Sequence, residues 1–432
     1  MSYTLGIRRE DKNKWERRVP IIPGHVRKLK EKHGIKTIIQ PSTIRVFTDK
    51  EFESSGAIVD EDLSSSSVVF AVKEIPKKFL QTGKTYIFFS HTIKGQSYNM
   101  PMLKKMMELG CTLIDYEKIT DENGRRLVFF GKFAGLAGMI DTLWAYGQRM
   151  KWNGIKSPFS EIKQTIHYHD LNKARDSLQI IGEKIKREGL PKALAPFVVG
   201  FAGYGNVSSG AQEILDILPV KEIRPNQIEA IHENFSNKVV YKVIFKEEDI
   251  VEPVSSEKEF NLQEYYDQPH LYRSIFQQYI CRLSILMNCI YWDKQYPRLV
   301  TKEFLEENLT GQLKLQVIGD ISVDINGAIE FTEKVTPPDN PVYVYNPIRD
   351  DVIEGFRGNG IVVMAVDNLP CELPKESSQA FSDSLLSFIP SIIKADFFVS
   401  FELLELPPEI KNAMILHQGK LTPNYQYINR FL

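Results

Sequence analysis

Gly203, Gly205, Asn206, Val207 and Ser208 stand between an apolar run, Phe197–Ala202, and a helix-forming run that continues to Leu218. A strand feeding a glycine turn feeding a helix is the context in which a glycine motif binds a dinucleotide. Gly203 supplies the tight turn, and Gly205 lets the backbone approach a pyrophosphate seated on the N–H groups of the helix N-terminus. Gly210 and Ala211 leave room for the helix to pack on the strand. Ser208 replaces the third glycine of the usual fingerprint, so its hydroxyl either donates to a phosphate or crowds the helix. The acidic ribose residue of an NAD site is expected about 20 residues further on. There the segment Leu218–Pro225 reads as the next strand, with Arg224 at its tip. A guanidinium at that place suits the 2′-phosphate of NADPH, and the competing reading is a solvated surface arginine.

A second group of reactive side chains lies in the first 120 residues. Lys73 and Glu74 follow the buried-strand run Val68–Val72, His91 follows Thr85–Phe89, and Glu117 follows Thr112–Asp115. In open parallel sheets the chemistry gathers beyond the carboxyl ends of the strands. Lys73 and His91 are one strand–helix–strand step apart and can face one crevice. Solvated loop charges would also sit there.

The elements that must position these residues alternate. Strands at Thr4–Arg8, Thr37–Gln40, Val68–Val72, Thr85–Phe89 and Thr112–Asp115 are separated by helical segments, one capped by Thr48 or Asp49. That pattern predicts a parallel sheet covered by helices. Phe129–Tyr146 reads as a long helix with Gly131, Gly135 and Gly138 on one face, open to close approach by another backbone. After the glycine turn, Tyr241–Phe245, Leu315–Ile321, Val342–Tyr345 and Ile361–Val366 read as strands of a second sheet, and Arg273–Trp292 as a long helix with a strand at its end. Asp320 and Asp324 follow one of these strands, Asp367 and Leu369 follow another, and all four are candidate cofactor-binding residues. Pro374–Ile393 is helical, and Asp396–Leu432 carries no new domain signature.

Composition narrows the classes. The chain has 432 residues, 43% hydrophobic and 25% charged, which is globular rather than disordered, with room for two domains or three. A net charge of −1 gives no general attraction to nucleic acid or an anionic membrane. The four cysteines are scattered without a C-x-x-C pair, so reduced thiols are expected, and no metal site. His167 and His169 lack ligand partners at metal spacing. No apolar run reaches membrane-spanning length, and no leader peptide is read at Met1.

Taken together, GIRREDKNKWERRVPIIP (Gly6–Pro23), FFSHTIKGQ (Phe88–Gln96), LIDYEKI (Leu113–Ile119), FGKFAGLAGMI (Phe130–Ile140), GYGNVSSGAQ (Gly203–Gln212), IGDISVDINGAIEF (Ile318–Phe331) and VDNLPCELPKESSQAFS (Val366–Ser382) resemble the lysine–2-oxoglutarate reductase portion of bifunctional aminoadipic semialdehyde synthase, within the alanine dehydrogenase and saccharopine dehydrogenase superfamily. The resemblance runs over essentially the whole chain and stops where the reductase portion would end. It implies an α/β fold of two Rossmann-like domains with parallel sheets and a cleft between them. The first domain, residues 1–150, would be split and completed by 371–432; residues 151–370 would be the dinucleotide-binding domain.

The resemblance also implies a reaction: L-lysine and 2-oxoglutarate condense to saccharopine with NADPH, NADH being the less favoured donor. Such an enzyme is a saccharopine dehydrogenase (NADP+, L-lysine-forming) of lysine degradation. Lys73 would be the base and His91 the acid, with Glu74 and Glu117 lining their pocket. Arg18, Arg125 and Arg126 would bind substrate carboxylates, and Asp324, or Asp320, would face the nicotinamide. The alternatives are the NAD-linked, lysine-forming saccharopine dehydrogenase and a catalytically silent NADP(H)-binding module. A homodimer or association with a saccharopine dehydrogenase is expected. The expected location is cytoplasmic, or the mitochondrial matrix if the chain is an excised domain.

Overall fold

The structure, a computed structural model, describes residues 3–308 and 313–432. The chain divides into two units, Met1–Phe130 with Pro374–Leu432, and Gly131–Leu373.

The first unit opens with strand β1 (Thr4–Ile7), helix α1 (Pro23–His33), β2 (Lys36–Ile39), helix α2 (Asp49–Ser54), β3 (Ile58–Val59), β4 (Val68–Phe70), β5 (Thr85–Phe88), helix α3 (Met100–Glu108) and β6 (Thr112–Asp115). Pro23 starts α1, where a missing N–H costs nothing, and Gly34 ends it at φ +65°. Thr48 caps α2 in a reciprocal capping box with Glu51. These six strands pair in parallel.

The second unit begins with α4 (Gly131–Trp152), a helix expected to lie mostly in the first domain. Next come α5 (Leu171–Glu188), β7 (Phe197–Ala202), α6 (Asn206–Leu215), β8 (Val220–Ile223), β9 (Val240–Phe245), β10 (Val251–Pro253), β11 (Tyr272–Ser274), β12 (Ile285–Asn288), β13 (Val317–Asp320), β14 (Val342–Asn346), β15 (Asp351–Glu354) and β16 (Ile361–Met364). The main sheet runs β15-β14-β16-β13-β12-β7-β9-β8; β10 and β11 form a separate hairpin. β14 pairs antiparallel with both β15 and β16, and the remaining neighbours in the main sheet pair in parallel. The expected long helix Arg273–Trp292 is replaced by β11, one helical turn at Gln277–Ile280, and β12. A short apolar run fits either period. Here the place between β7 and β13 needs a strand buried on both faces, and Ile285–Asn288 is wholly buried.

α4 packs on α6 at backbone distance. A Cβ on Gly135 would meet the Val207 carbonyl oxygen at 1.9 Å, and one on Gly210 would meet that of Lys132 at 2.1 Å. Gly210 therefore serves a helix–helix contact, not the expected helix–strand one. The tail Asp396–Leu432, which carries no domain signature in the sequence, adds two strands to the first sheet. β17 (Met414–His417) pairs antiparallel with β6, and β18 (Lys420–Leu421) pairs with β17, so the first sheet runs β18-β17-β6-β5-β4-β1-β2-β3. The helix Pro374–Leu385 adds Phe381 to an aromatic cluster with Phe89, Tyr116 and Phe130. Among the described residues no helix is long and apolar enough to cross a membrane.

Candidate active site

β6, β5, β4 and β1 are neighbours in the first sheet, so the residues that follow them emerge side by side at one sheet edge. Beyond β1, Glu10 is buried and turns back. Its carboxylate accepts the backbone N–H of Val72 at 2.6 Å and of Lys73 at 3.0 Å. Burial, then the charge of Glu16, pushes its pKa up to about 7. Glu10 thereby holds the backbone that presents Lys73. Lys73 is half-buried, and among the described residues no side chain bonds its ammonium. Burial lowers its pKa, and the charge of Arg18 lowers it further.

His91 takes φ +49°, a left-handed conformation that costs a non-glycine residue energy and therefore needs its surroundings to impose it. They do. The buried Asp115 accepts the N–H of Ser90 at 3.1 Å and of Glu117 at 2.8 Å, while Asn99 Nδ2 donates to the Ser90 carbonyl at 2.9 Å. One carboxylate thus ties the ends of β5 and β6 together. His91 Nδ1 lies 2.6 Å from Glu74 Oε1, and Lys12 Nζ is 3.1 Å from Glu74 Oε2. Burial alone would raise the Glu74 pKa, but the bond and charge of His91, with Lys12 behind, hold it well below the usual carboxylate range. Lys73, Glu74, His91 and Glu117 therefore follow three adjacent strands, as the spacing suggested.

The arginines differ. Arg18 is buried and forks onto Glu16, with Nε at 2.7 Å and one terminal nitrogen at 2.5 Å, and its guanidinium lies 4.3 Å from the Phe130 ring centre. Arg126 bonds Glu117 through both its carboxylate (3.0 Å) and its carbonyl (3.1 Å). Arg125 is 77% exposed and closes the turn that starts at Asp121, through a 2.8 Å contact. That is the surface role rather than the pocket role.

In the second unit, Gly203 takes φ +94° and donates its N–H to the Phe245 carbonyl at 3.0 Å. A Cβ there would press on the Cys289 carbonyl at 3.1 Å, whereas a Cβ on Gly205 would meet open space. Gly205 is the N-cap of α6, and no side chain caps the helix. The backbone N–H groups of Asn206, Val207 and Ser208 therefore open the helix without a side-chain acceptor, which fits a pyrophosphate. Ser208 resolves the imperfect fingerprint differently from either expectation. It is fully buried, and its hydroxyl accepts from Gln212 Nε2 at 2.9 Å, within the helix. Beside the turn lies a cavity of about 330 Å³, lined by Gly203, Gly205, Glu247, Tyr265, Tyr266 and Tyr291 among others.

The remaining expected cofactor residues are scattered. Asp320 is buried, accepting from Asn288 Nδ2 at 2.9 Å and Thr332 Oγ1 at 2.6 Å; burial raises its pKa to about 6. It braces the ends of β12 and β13. Asp324 is exposed in a turn closed by Gly327, Asp367 is exposed, and the Leu369 side chain is core. Arg224 follows β8, the edge strand, and its N–H bonds Gln227. It does not line the cavity; Glu247 does. Sequence reasoning missed Glu10, Glu16, Asp115 and Glu247. Glu16 and Glu10 sit in a charged loop, and Asp115 is the polar end of an apolar strand. Glu247 follows the second strand after the turn rather than the first.

Two mainly parallel sheets, one carrying a glycine turn that feeds an uncapped helix, define an α/β protein with a Rossmann-type unit. The chain belongs to the alanine dehydrogenase/PNT family: the family's N-terminal domain matches residues 6–137 and its C-terminal domain residues 217–424. It is 37% identical to alpha-aminoadipic semialdehyde synthase of Arabidopsis thaliana, over 99% of this chain and 41% of that protein. It is 35% identical to the mitochondrial alpha-aminoadipic semialdehyde synthase of Bos taurus, over 99% of this chain and 47% of that one. The chain thus spans less than half the length of these relatives. A saccharopine dehydrogenase [NAD(+), L-lysine-forming] of Yarrowia lipolytica is 27% identical, over 88% of this chain and 89% of its own. In fold, the chain resembles a solved L-alanine dehydrogenase, with a TM-score of 0.63, 17% identity and 99% of both chains covered.

Proposed function

We propose that this chain is a nicotinamide-dependent reductase that condenses L-lysine with 2-oxoglutarate to saccharopine. The observation that carries the reading is the row at the first sheet's edge: a half-buried lysine with a lowered pKa beside a hydrogen-bonded Glu74–His91 pair. The similarity to proteins named for semialdehyde synthase and saccharopine dehydrogenase supports it.

The reaction sets three demands. The ε-ammonium of lysine must lose a proton before its nitrogen can attack the keto carbon. The resulting carbinolamine must shed its hydroxyl as water, which takes a proton. The imine carbon must then accept a hydride. Lys73 is assigned the first demand, because burial and Arg18 favour its neutral form, the form that can take a proton. His91, held on Glu74, meets the second as the acid. A reduced nicotinamide dinucleotide at the glycine turn supplies the hydride when bound. Arg18, oriented by Glu16, and Arg126 are assigned to substrate carboxylates. The exposed Arg125 is not needed.

The test is oxidation of reduced nicotinamide that requires both L-lysine and 2-oxoglutarate and yields saccharopine by mass spectrometry. Turnover with pyruvate and ammonia instead would move the chain to an alanine dehydrogenase reading. A second reading, the lysine-forming direction with NAD+, is favoured by the Yarrowia relative and by Glu247 in the cavity, and saccharopine with NAD+ tests it. NADPH, expected from Arg224, and NADH are the two candidate donors.

A further inference from the structure

We infer that Glu247 selects NADH over NADPH, by holding a carboxylate where the adenosine ribose binds; the inference rests on the glycine turn being a nicotinamide dinucleotide site. The strand order carries it. Among the described residues β8, the first strand after α6, pairs with β9 alone at the sheet's edge, and β9 lies between β8 and β7. β7 and β9 run parallel and end level, with Ala202 opposite Phe245. The Gly203 N–H bond to the Phe245 carbonyl joins the two strand ends directly. Glu247, two residues beyond Phe245, lines the same cavity as Gly203 and Gly205. In a doubly wound sheet the residue that reads the ribose comes from the end of the strand beside the glycine-turn strand. Here that strand is β9, not β8.

The side chain is also held in place. Tyr266 donates its hydroxyl to Glu247 Oε1 at 2.7 Å. One carboxylate oxygen is thereby anchored, and a carboxylate suits paired acceptance from the 2′- and 3′-hydroxyls of an unphosphorylated ribose. A 2′-phosphate would bring about two negative charges against it. Among the described residues no cation lines the cavity: Lys246–Asp249 carries three carboxylates and one ammonium, and neither Lys246 nor Arg224 lines it.

Direct binding decides the matter. Titrating the protein with NADH and with NADPH, by nucleotide fluorescence and without lysine or 2-oxoglutarate, should give NADH the lower dissociation constant by at least about tenfold. Glu247→Arg should reverse the ratio, Glu247→Gln should narrow it, and Arg224→Glu should leave it unchanged. Equal affinity for the two nucleotides in the unaltered protein overturns the inference while leaving the dinucleotide site standing. So does an unchanged ratio in both Glu247 variants. If neither nucleotide binds, the inference and the dinucleotide site fall together.

Discussion

At the scale of the residue, the proposed role of Lys73 rests on its neighbours. Burial and Arg18 lower its pKa, and Glu10 fixes its backbone. Lys73→Met should lower kcat by about 10²–10⁴-fold, the usual contribution of a positioned acid or base, with the nucleotide dissociation constant unchanged. His91→Gln should behave alike. Near-normal turnover in both variants would remove the proton-transfer assignment. Glu10 makes a second prediction. Burial first and Glu16 second raise its folded pKa from 4.5 to about 7. Folding therefore favours the protonated carboxyl. Its stabilisation is complete below about pH 4.5 and is lost as pH rises through about 7, a difference of about 3 kcal/mol. Thermal midpoints should fall across that window, and Glu10→Gln should flatten the fall. An equal slope in the variant would show that another group is responsible.

At the scale of the element, α4 and α6 are spaced by what their glycines lack. The Gly135 Cβ position lies 1.9 Å from the Val207 carbonyl oxygen, so Gly135→Ala must push the two backbones apart. A loss of about 3 kcal/mol by chemical denaturation is expected, together with weaker nucleotide binding, since the proposed dinucleotide site uses the N-terminus of α6 for the pyrophosphate. α4 also carries the fully buried Asp141, paired with the buried Glu372 of the turn Leu369–Glu372. Burial raises both pKa values, and each oxygen pair is best served when one carboxyl stays protonated and donates to the other. Glu372→Gln replaces that donor with an amide that needs no proton. A gain of about 1–2 kcal/mol is expected above neutral pH, fading as the medium is acidified. A loss at every pH would mean that the pair is not sharing a proton.

At the scale of the whole molecule, ligand binding should register as stability. A nucleotide at a hundred times its dissociation constant adds about 2.7 kcal/mol to the unfolding free energy of whatever folds with its site. NADH should therefore raise the thermal midpoint of the transition that includes Gly131–Leu373, and Glu247→Arg should transfer that protection to NADPH. Absence of any shift at saturating NADH and NADPH would speak against the glycine turn as a dinucleotide site.

Local chemistry was legible in the residues alone. The glycine turn and its helix, the strands ending in Lys73, His91 and Glu117, and the capping of α2 by Thr48 depend on near neighbours and on period, so they can be read from one segment at a time. Strand order cannot be read that way, because sheet neighbours are chosen by backbone pairing and burial between segments far apart in the chain. That choice placed β9 beside β7 and left β8 at the edge. It thereby put Glu247, not Arg224, after the strand next to the glycine-turn strand. It also placed two further strands within Asp396–Leu432, turned the Ser208 hydroxyl to a bond within its own helix, and made Gly210 a helix–helix contact instead of a helix–strand one. The residue types set which chemistry was available. Pairing across the sheets decided which of those residues could meet.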